Sequence, residues 1–300
     1  MKKKSTFVRT VKSYSVLEKV LSVILLVALL YVGGHYFLYG KLIKGDTKKE
    51  GIYTEGFQRG IYRINPVYAD LNEPDRDVSR LVFRGLTKYD SSTRKIVGDI
   101  ADVTISEDKL TYTFTMHDGV TWHDGEMVDA NDALFTYKTV IQDPAFQNPV
   151  LKANFDGVTI EKVDDKTIKF TLAAPNSFFI TNTTVGLLPE HILAEVPVSE
   201  LLTHDFNRNP IGNGLYAVDV PLSTTMTGVT QILLKRYDDF YGDVPEIPKI
   251  RFFGYPTRKE LTDNMSSLNA IPKVTEEAIT VVSEDPRFSM YGYSLPQYTA

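Results

Sequence analysis

A mixed fold of helices and strands, in the α/β or α+β class, is predicted by the order of patterns along residues 53–300. Apolar and polar residues alternate over residues 110–116, which indicates a half-buried strand because successive strand side chains point to opposite faces. Residues 158–172 repeat this alternation on both sides of a polar turn and predict a hairpin. Residues 130–141 carry helical spacing instead, so strands and helices follow each other without a regular alternation.

Turn and capping residues divide residues 108–132 into a strand, a turn, a second short strand at 120–122, another turn and the start of a helix. His117 and His123 each begin a His-Asp-Gly sequence, which is typical of a tight turn. Asp129 is predicted to cap the helix over residues 130–141, with Asp132 as the second member of a capping box. The whole stretch is therefore expected to be scaffold, a hairpin that leads into a helix.

The remaining helices and strands are predicted from caps, turns and short apolar runs. An earlier helix is expected to begin at Asp75 or Asp77, with Val78, Leu81, Val82 and Leu86 on one face. Residues 212–214, Gly-Asn-Gly, predict a bend with positive φ before a strand that contains Tyr216. Further strands are predicted at 231–236 and 250–253, and helices are predicted after Thr257, with Glu260 in a capping box, and after Thr275.

A membrane anchor is predicted at residues 20–40, where about twenty apolar residues are long enough to cross a bilayer core. Six Lys and Arg residues precede it and place residues 1–19 in the cytoplasm. A cleavable signal peptide is the alternative, although no small-residue cleavage site follows the apolar run. Residues 41–52 are then a stalk, and in either case the rest of the chain lies outside the cytoplasm.

Charge and cysteine content exclude several classes of function. Residues 51–300 contain 23 Lys and Arg against 35 Asp and Glu, a net charge of −12, which argues against a nucleic-acid partner. The chain has no cysteine, so disulfides, thiolate metal sites and lipid attachment through cysteine are all excluded.

Catalysis and metal binding have little support in the sequence. His117 and His123 invite a metal or acid–base interpretation, but no third ligand accompanies them, and turn chemistry explains both His-Asp-Gly sequences. Zinc-protease, nucleophile-elbow, Walker and dinucleotide motifs are absent. We therefore expect a protein that is not an enzyme, with no cofactor and no metal.

The order of short motifs resembles extracellular solute-binding protein family 5, the oligopeptide- and dipeptide-binding receptors of ABC importers. The resemblance covers residues 53–300 and its motifs are individually of moderate specificity, but they follow one another in the family's order. They are Asn65-Pro66, the segments 81–90 (LVFRGLTKYD), 106–114 (SEDKLTYTF), 118–126 (DGVTWHDGE) and 129–133 (DANDA), the hairpin 163–172 with Pro175-Asn176, and the segments 188–193 (LPEHIL), 210–216 (PIGNGLY) and 236–241 (RYDDFY). Asn213 departs from the threonine common in the family, and Tyr241 departs from its tryptophan.

The resemblance implies a periplasmic-binding-protein-like clamshell of type II, in which two hinged lobes close over the ligand. Residues 53–255 would form the first lobe and residues 256–300 the start of the second. Family members are longer than this chain and are mostly lipoproteins or free periplasmic proteins. We therefore expect the 300 residues to be an incomplete protein, anchored by a helix instead of a lipid.

The same resemblance implies which residues face the ligand. In peptide-binding members the ligand lies extended between the lobes and adds its backbone to strands of the protein. The implied ligand-binding residues are Ala69, Asp70, Leu71, Asn72, Glu73, Asn213, Gly214, Tyr216, Tyr293 and Tyr298. For Tyr216, burial in the core is the competing interpretation.

The implied function is a membrane-anchored extracytoplasmic receptor that captures peptides or similar extended solutes for the permease subunits of an ABC importer. One alternative is a noncatalytic sensor or scaffold of the same fold that has lost transport. Another is an anchored hydrolase that uses His117 or His123.

Overall fold

The computed structural model describes residues 51–274 and 276–292, which form strands, short helices and long connections. The strands are β1 (Ile52–Phe57), β2 (Thr87–Asp90), β3 (Lys95–Gly98), β4 (Ala101–Ile105), β5 (Thr111–Met116), β6 (Thr159–Lys162), β7 (Thr167–Thr171), β8 (Tyr216–Thr224), β9 (Thr230–Arg236) and β10 (Lys249–Gly254). The helices are α1 (Glu73–Val82), α2 (Ala130–Leu134), α3 (Pro149–Ala153), α4 (Phe179–Asn182), α5 (Glu190–Leu193), α6 (Arg258–Asn264) and α7 (Glu276–Ser283). The mixed α/β class predicted from the sequence is confirmed.

One four-stranded sheet has the order β1-β10-β9-β8. Strand β1 pairs with β10 in parallel, and the other neighbours are antiparallel. Strands β8, β9 and β10 were predicted from the sequence but β1 was not, since its first residue was assigned to the stalk 41–52. Ile52, Tyr53 and Thr54 are residue types that suit a strand.

The second four-stranded sheet has the order β4-β5-β7-β6 and is antiparallel throughout. Its strand β5 buries Tyr112, Phe114 and Met116, which are 3%, 0% and 4% exposed, as the alternation predicted. Phe114 lies opposite Ile168 of β7 and meets the ring of Phe170 edge-on, with ring centroids 5.5 Å apart. The predicted hairpin of β6 and β7 is also confirmed.

Helix α2 begins as predicted but does not continue as an α-helix to residue 141. The Asp129 side chain accepts hydrogen bonds from the Asn131 and Asp132 amides, and Asp132 completes the capping box. Residues Phe135–Ile141 then form a π-helix. The Thr136 hydroxyl donates to the Asp132 carbonyl at 2.7 Å and accepts from the Leu188 amide at 2.8 Å, and such a side-chain bond into the helical ladder competes with α-helical pairing.

Helix α1 begins and ends earlier than its caps suggested. Asn72 precedes its first residue, and Pro74 occupies the first turn, where a missing N–H costs nothing. Asp75 is inside the helix rather than at its cap, and its Oδ1 accepts the Tyr62 amide at 2.7 Å. The helix ends at Val82, so Leu86 lies beyond it.

Glycine explains two further features of the connections. Gly119 and Gly125 have φ of 78° and 94°, which confirms the two predicted His-Asp-Gly turns. Gly212 and Gly214 do not have the positive φ that was predicted for them. They are needed instead for close packing, since a Cβ at Gly212 would lie 2.0 Å from the Val82 carbonyl oxygen and one at Gly214 2.5 Å from that of Leu81.

Several predictions fall outside the described residues. These are the cytoplasmic segment 1–19, the anchor 20–40, most of the stalk 41–52, the Thr275 cap, and the candidate ligand residues Tyr293 and Tyr298. Within residues 51–274 and 276–292, no helix combines the length and apolarity needed to span a membrane. The predicted capping box of Thr257 and Glu260 is confirmed at α6.

Candidate ligand-binding site

The loop before α1 is fixed by buried amide side chains. Asn65 is fully buried, donates to the Asn207 side chain at 2.8 Å and accepts the Val67 amide at 3.1 Å. Asn148 donates to the Val67 carbonyl at 2.9 Å. The Tyr68 ring packs on Phe146 with centroids 5.2 Å apart. These contacts hold residues 65–72 in one conformation, which is what a preformed binding wall requires.

The five candidate residues that follow this loop have different environments. Ala69 is buried and Asp70 is exposed, and both line a cavity of about 580 Å³. Leu71 is half exposed to solvent and lies outside the cavity lining. The Asn72 side chain donates to the Gly60 carbonyl at 3.0 Å. The Glu73 carboxylate pairs with Lys273 at 3.3 Å, which ties the start of α1 to the segment after α6.

The cavity lies between α1 and two segments that run side by side, residues 83–89 and residues 181–186. The Thr87 amide donates to the Thr183 carbonyl at 3.2 Å, and the two threonine hydroxyls lie 2.9 Å apart. Gly85 allows this approach, because a Cβ there would lie 2.5 Å from the Val185 carbonyl oxygen. At about 580 Å³ the cavity has the size typical of small-molecule sites.

Cations dominate the charged lining of the cavity. Arg76, Arg80, Arg84 and Lys88 line it at four-residue spacing, against the two carboxylates Asp70 and Asp99. The formal charge of the lining is therefore +2, in a protein whose net charge is −5. The sequence analysis did not identify these residues. Their regular spacing in the sequence, one cation at every fourth position from 76 to 88, is the signal that could have identified them.

One buried carboxylate organises part of this charge. Asp99 is 5% exposed and pairs with Arg84 at 2.6 Å and with Lys88 at 3.3 Å. Tyr241 donates its hydroxyl to Asp99 at 2.9 Å. Burial lowers the pKa of Arg84, but the hydrogen bond and charge of Asp99 outweigh it and raise that pKa. Burial and the Asp99 charge also raise the pKa of Tyr241, so both groups remain protonated donors.

The glycine-rich turn, residues 212–214, does not line the cavity but supports it from behind. Asn213 is buried; its Oδ1 accepts the Arg84 amide at 2.8 Å, and its Nδ2 donates to the Arg84 carbonyl at 3.3 Å. The Gly214 amide donates to the Val82 carbonyl at 2.9 Å. Tyr216 is 3% exposed and donates its hydroxyl to the Ile247 carbonyl at 3.0 Å. The structure thus gives each of these three candidate residues a partner within the fold.

The two histidines of the His-Asp-Gly turns contact different parts of the molecule. His117 lies 3.3 Å from Asp102 at the surface. The Gly212 amide donates to His123 Nδ1 at 3.2 Å, so the proton of the neutral ring is on Nε2, which donates to the Gly214 carbonyl at 3.0 Å. Burial lowers the pKa of His123 to about 4. His123 therefore joins the second turn to the glycine-rich turn as a neutral ring.

No group of three or more His, Asp or Glu side chains within residues 51–274 and 276–292 is arranged to hold a metal ion. The charged groups at the cavity are mainly hydrogen-bond donors. Chemically, the arrangement suits binding of an oxyanion or of a polar main chain more than coordination of a cation.

Comparisons with known proteins show which family the chain belongs to. The family model described as bacterial extracellular solute-binding proteins, family 5 Middle, matches residues 95–298. A Brucella ovis protein named as an ABC transporter peptide-binding protein is 32% identical over 180 residues, which cover 58% of this chain and 33% of that protein. The dipeptide-binding protein of Escherichia coli is 23% identical over 220 residues, which cover 66% of this chain and 38% of that protein.

Solved structures share the fold. The oligopeptide-binding protein AppA from Bacillus subtilis, in complex with a nonapeptide, matches with a TM-score of 0.67 and 21% identity, over 77% of this chain and 45% of AppA. NikZ from Campylobacter jejuni, in complex with Ni(L-His), matches with a TM-score of 0.64 and 27% identity, over 78% of this chain and 45% of NikZ. The match thus spans less than half of these relatives. Because the family model covers more than half of the chain, the protein belongs to family 5 of the bacterial extracellular solute-binding proteins.

Proposed function

We propose that this chain forms one wall of an extracytoplasmic receptor that captures peptides or similar extended solutes and presents them to an ABC importer. The observation that carries the proposal is the cavity of about 580 Å³ between α1 and residues 181–186, in a chain that belongs to a solute-binding family. Relatives named for peptide binding support peptides as the solute. Binding without chemistry is consistent with a lining whose charged groups are mainly hydrogen-bond donors.

The division of the chain remains part of this proposal. Residues 53–255 would be the first lobe and residues 256–300 the start of a second lobe that closes over the solute. The apolar residues 20–40 would tether the receptor to the membrane, with residues 1–19 in the cytoplasm. Resistance to extraction by alkaline carbonate supports the tether, whereas a mature N-terminus beyond residue 40 would show a cleaved signal peptide instead.

Isothermal titration of the full chain with tri- to pentapeptides tests the proposal. We expect saturable binding that competes between unrelated peptides, because family members hold the peptide backbone rather than its side chains. Far-UV circular dichroism establishes that the chain is folded. Absence of binding to every peptide by a folded chain would contradict peptide capture.

A further inference from the structure

Two arginines of α1 line the cavity, and one of them has no ion-pair partner among the described residues. Arg76 and Arg80 are one turn apart on α1, so they share a face, and both line the cavity. Arg80 is exposed and makes no ion pair with the rest of the described chain. Like charges at this spacing destabilise a helix slightly. Arg76 pairs with Asp77 at 3.4 Å and with Glu73 at 3.9 Å, so Arg80, in the last turn of α1, is the arginine of the two that has no ion-pair partner in the described part of the chain.

A third group on the same helix has an unmet hydrogen bond. Ser79 lines the cavity between the two arginines and is 2% exposed. Within the described residues its hydroxyl has no hydrogen-bond partner. A buried hydroxyl without a partner is costly, and this oxygen is shielded from solvent, so it is an unsatisfied polar group behind the wall and is not open to a ligand in this conformation.

The opposite part of the lining adds positive charge and no free acid. Asp99 is already shared by Arg84 and Lys88, so the three groups together retain a charge of +1 towards the cavity. Asp70 is the other carboxylate of the lining. The charge of Asp70 is outnumbered by those of Arg76 and Arg80. Their planar guanidinium groups can donate two parallel hydrogen bonds to a carboxylate.

We infer that this cavity selects solutes that carry a carboxylate, which Arg80, with Arg76 beside it, binds at the α1 wall. The inference rests on the proposed function and names the chemical class of its solute. For a peptide, the carboxylate comes either from an acidic side chain or from the C-terminus. A charge-assisted hydrogen bond of this kind corresponds to about a tenfold or greater gain in affinity.

Four probes distinguish the two sources: Ala-Glu-Ala and Ala-Gln-Ala, each as the free acid and as the C-terminal amide. They are titrated into the full chain and into two variants. Arg80→Gln removes the free arginine of the cavity. Arg94→Gln removes another exposed arginine, at the turn between β2 and β3 and outside the cavity lining, and is the matched control.

In the unaltered chain and in Arg94→Gln, neutralising one carboxylate is expected to weaken binding about tenfold. In Arg80→Gln that factor falls to about threefold or less. Weakening by Glu→Gln assigns the carboxylate to the side chain, and weakening by amidation assigns it to the C-terminus. Equal affinity for all four probes, or a preference that survives Arg80→Gln, overturns the inference and leaves peptide capture standing. If no probe binds to the folded chain, peptide capture itself is overturned and the inference with it.

Discussion

Replacing Asn213 with alanine tests whether the glycine-rich turn supports the cavity through the backbone of Arg84. The Asn213 Oδ1 is the hydrogen-bond partner of the Arg84 amide, so the variant leaves that N–H unpaired in a partly buried position. The Arg84 carbonyl loses the Nδ2 bond but keeps the Leu187 amide at 3.0 Å. An orphaned buried donor costs about 1–3 kcal/mol, and the second lost bond adds about 1 kcal/mol. We expect Asn213→Ala to lower the free energy of unfolding by about 2–4 kcal/mol.

Urea denaturation followed by tryptophan fluorescence measures this loss directly. Trp122 is the single tryptophan of the chain and is fully buried, so its emission reports on the folded core. Asn264→Ala is the matched control, since that asparagine is exposed and bonds only to the Glu260 carbonyl of its own helix. The control should change stability by less than about 0.5 kcal/mol. A loss no larger than the control's in Asn213→Ala would refute the supporting role.

Two further predictions concern the same turn. Gly212→Ala should destabilise the protein by about 2–3 kcal/mol, because its Cβ would overlap the Val82 carbonyl. Gly119→Ala is the control: residue 119 has positive φ and faces open space, so the variant should cost about 1 kcal/mol. Equal urea midpoints for the two variants would contradict the distinction. The stability contributed by neutral His123 is present above pH 6.5 and is lost as the pH falls towards its folded pKa of about 4, by about 3 kcal/mol. Burial raises the pKa of Asp132 to about 6, which has the opposite effect on stability in this pH window. The test therefore compares the unaltered chain with His123→Gln. The difference in their free energies of unfolding should shrink between pH 7 and pH 4, and a constant difference would contradict the prediction.

Local patterns in the sequence predicted most of the scaffold because they depend on neighbouring residues. The alternation of residues 110–116 defined which face of β5 is buried, and the Asp129 capping box marked the start of α2. Features that depend on distant contacts were missed. The π-helical continuation of α2 contains Thr136, which accepts the distant Leu188 amide, and the glycines at 212 and 214 are required by the end of α1 and not by their own φ.

The candidate site was predicted only in part for the same reason. The resemblance placed Ala69 and Asp70 at the ligand, and both line the cavity. Asn213, Gly214 and Tyr216 were also placed at the ligand, but each makes its hydrogen bonds within the protein instead of lining the cavity. The cations at 76, 80, 84 and 88 follow a helical spacing that was visible in the sequence, yet only the packing of residues 83–89 against 181–186 brings them to one cavity.

Photolabelling tests most directly whether solutes bind in this cavity. A tripeptide that carries a benzophenone side chain is irradiated with the full chain, with and without an excess of unlabelled peptide, and the adducts are mapped by mass spectrometry. We predict competed labelling within residues 66–89 and 181–186, which contain most of the residues that line the cavity. Competed labelling confined to the second cavity, near residues 153–158 and 172–182, or to the β8–β9 surface, would contradict it.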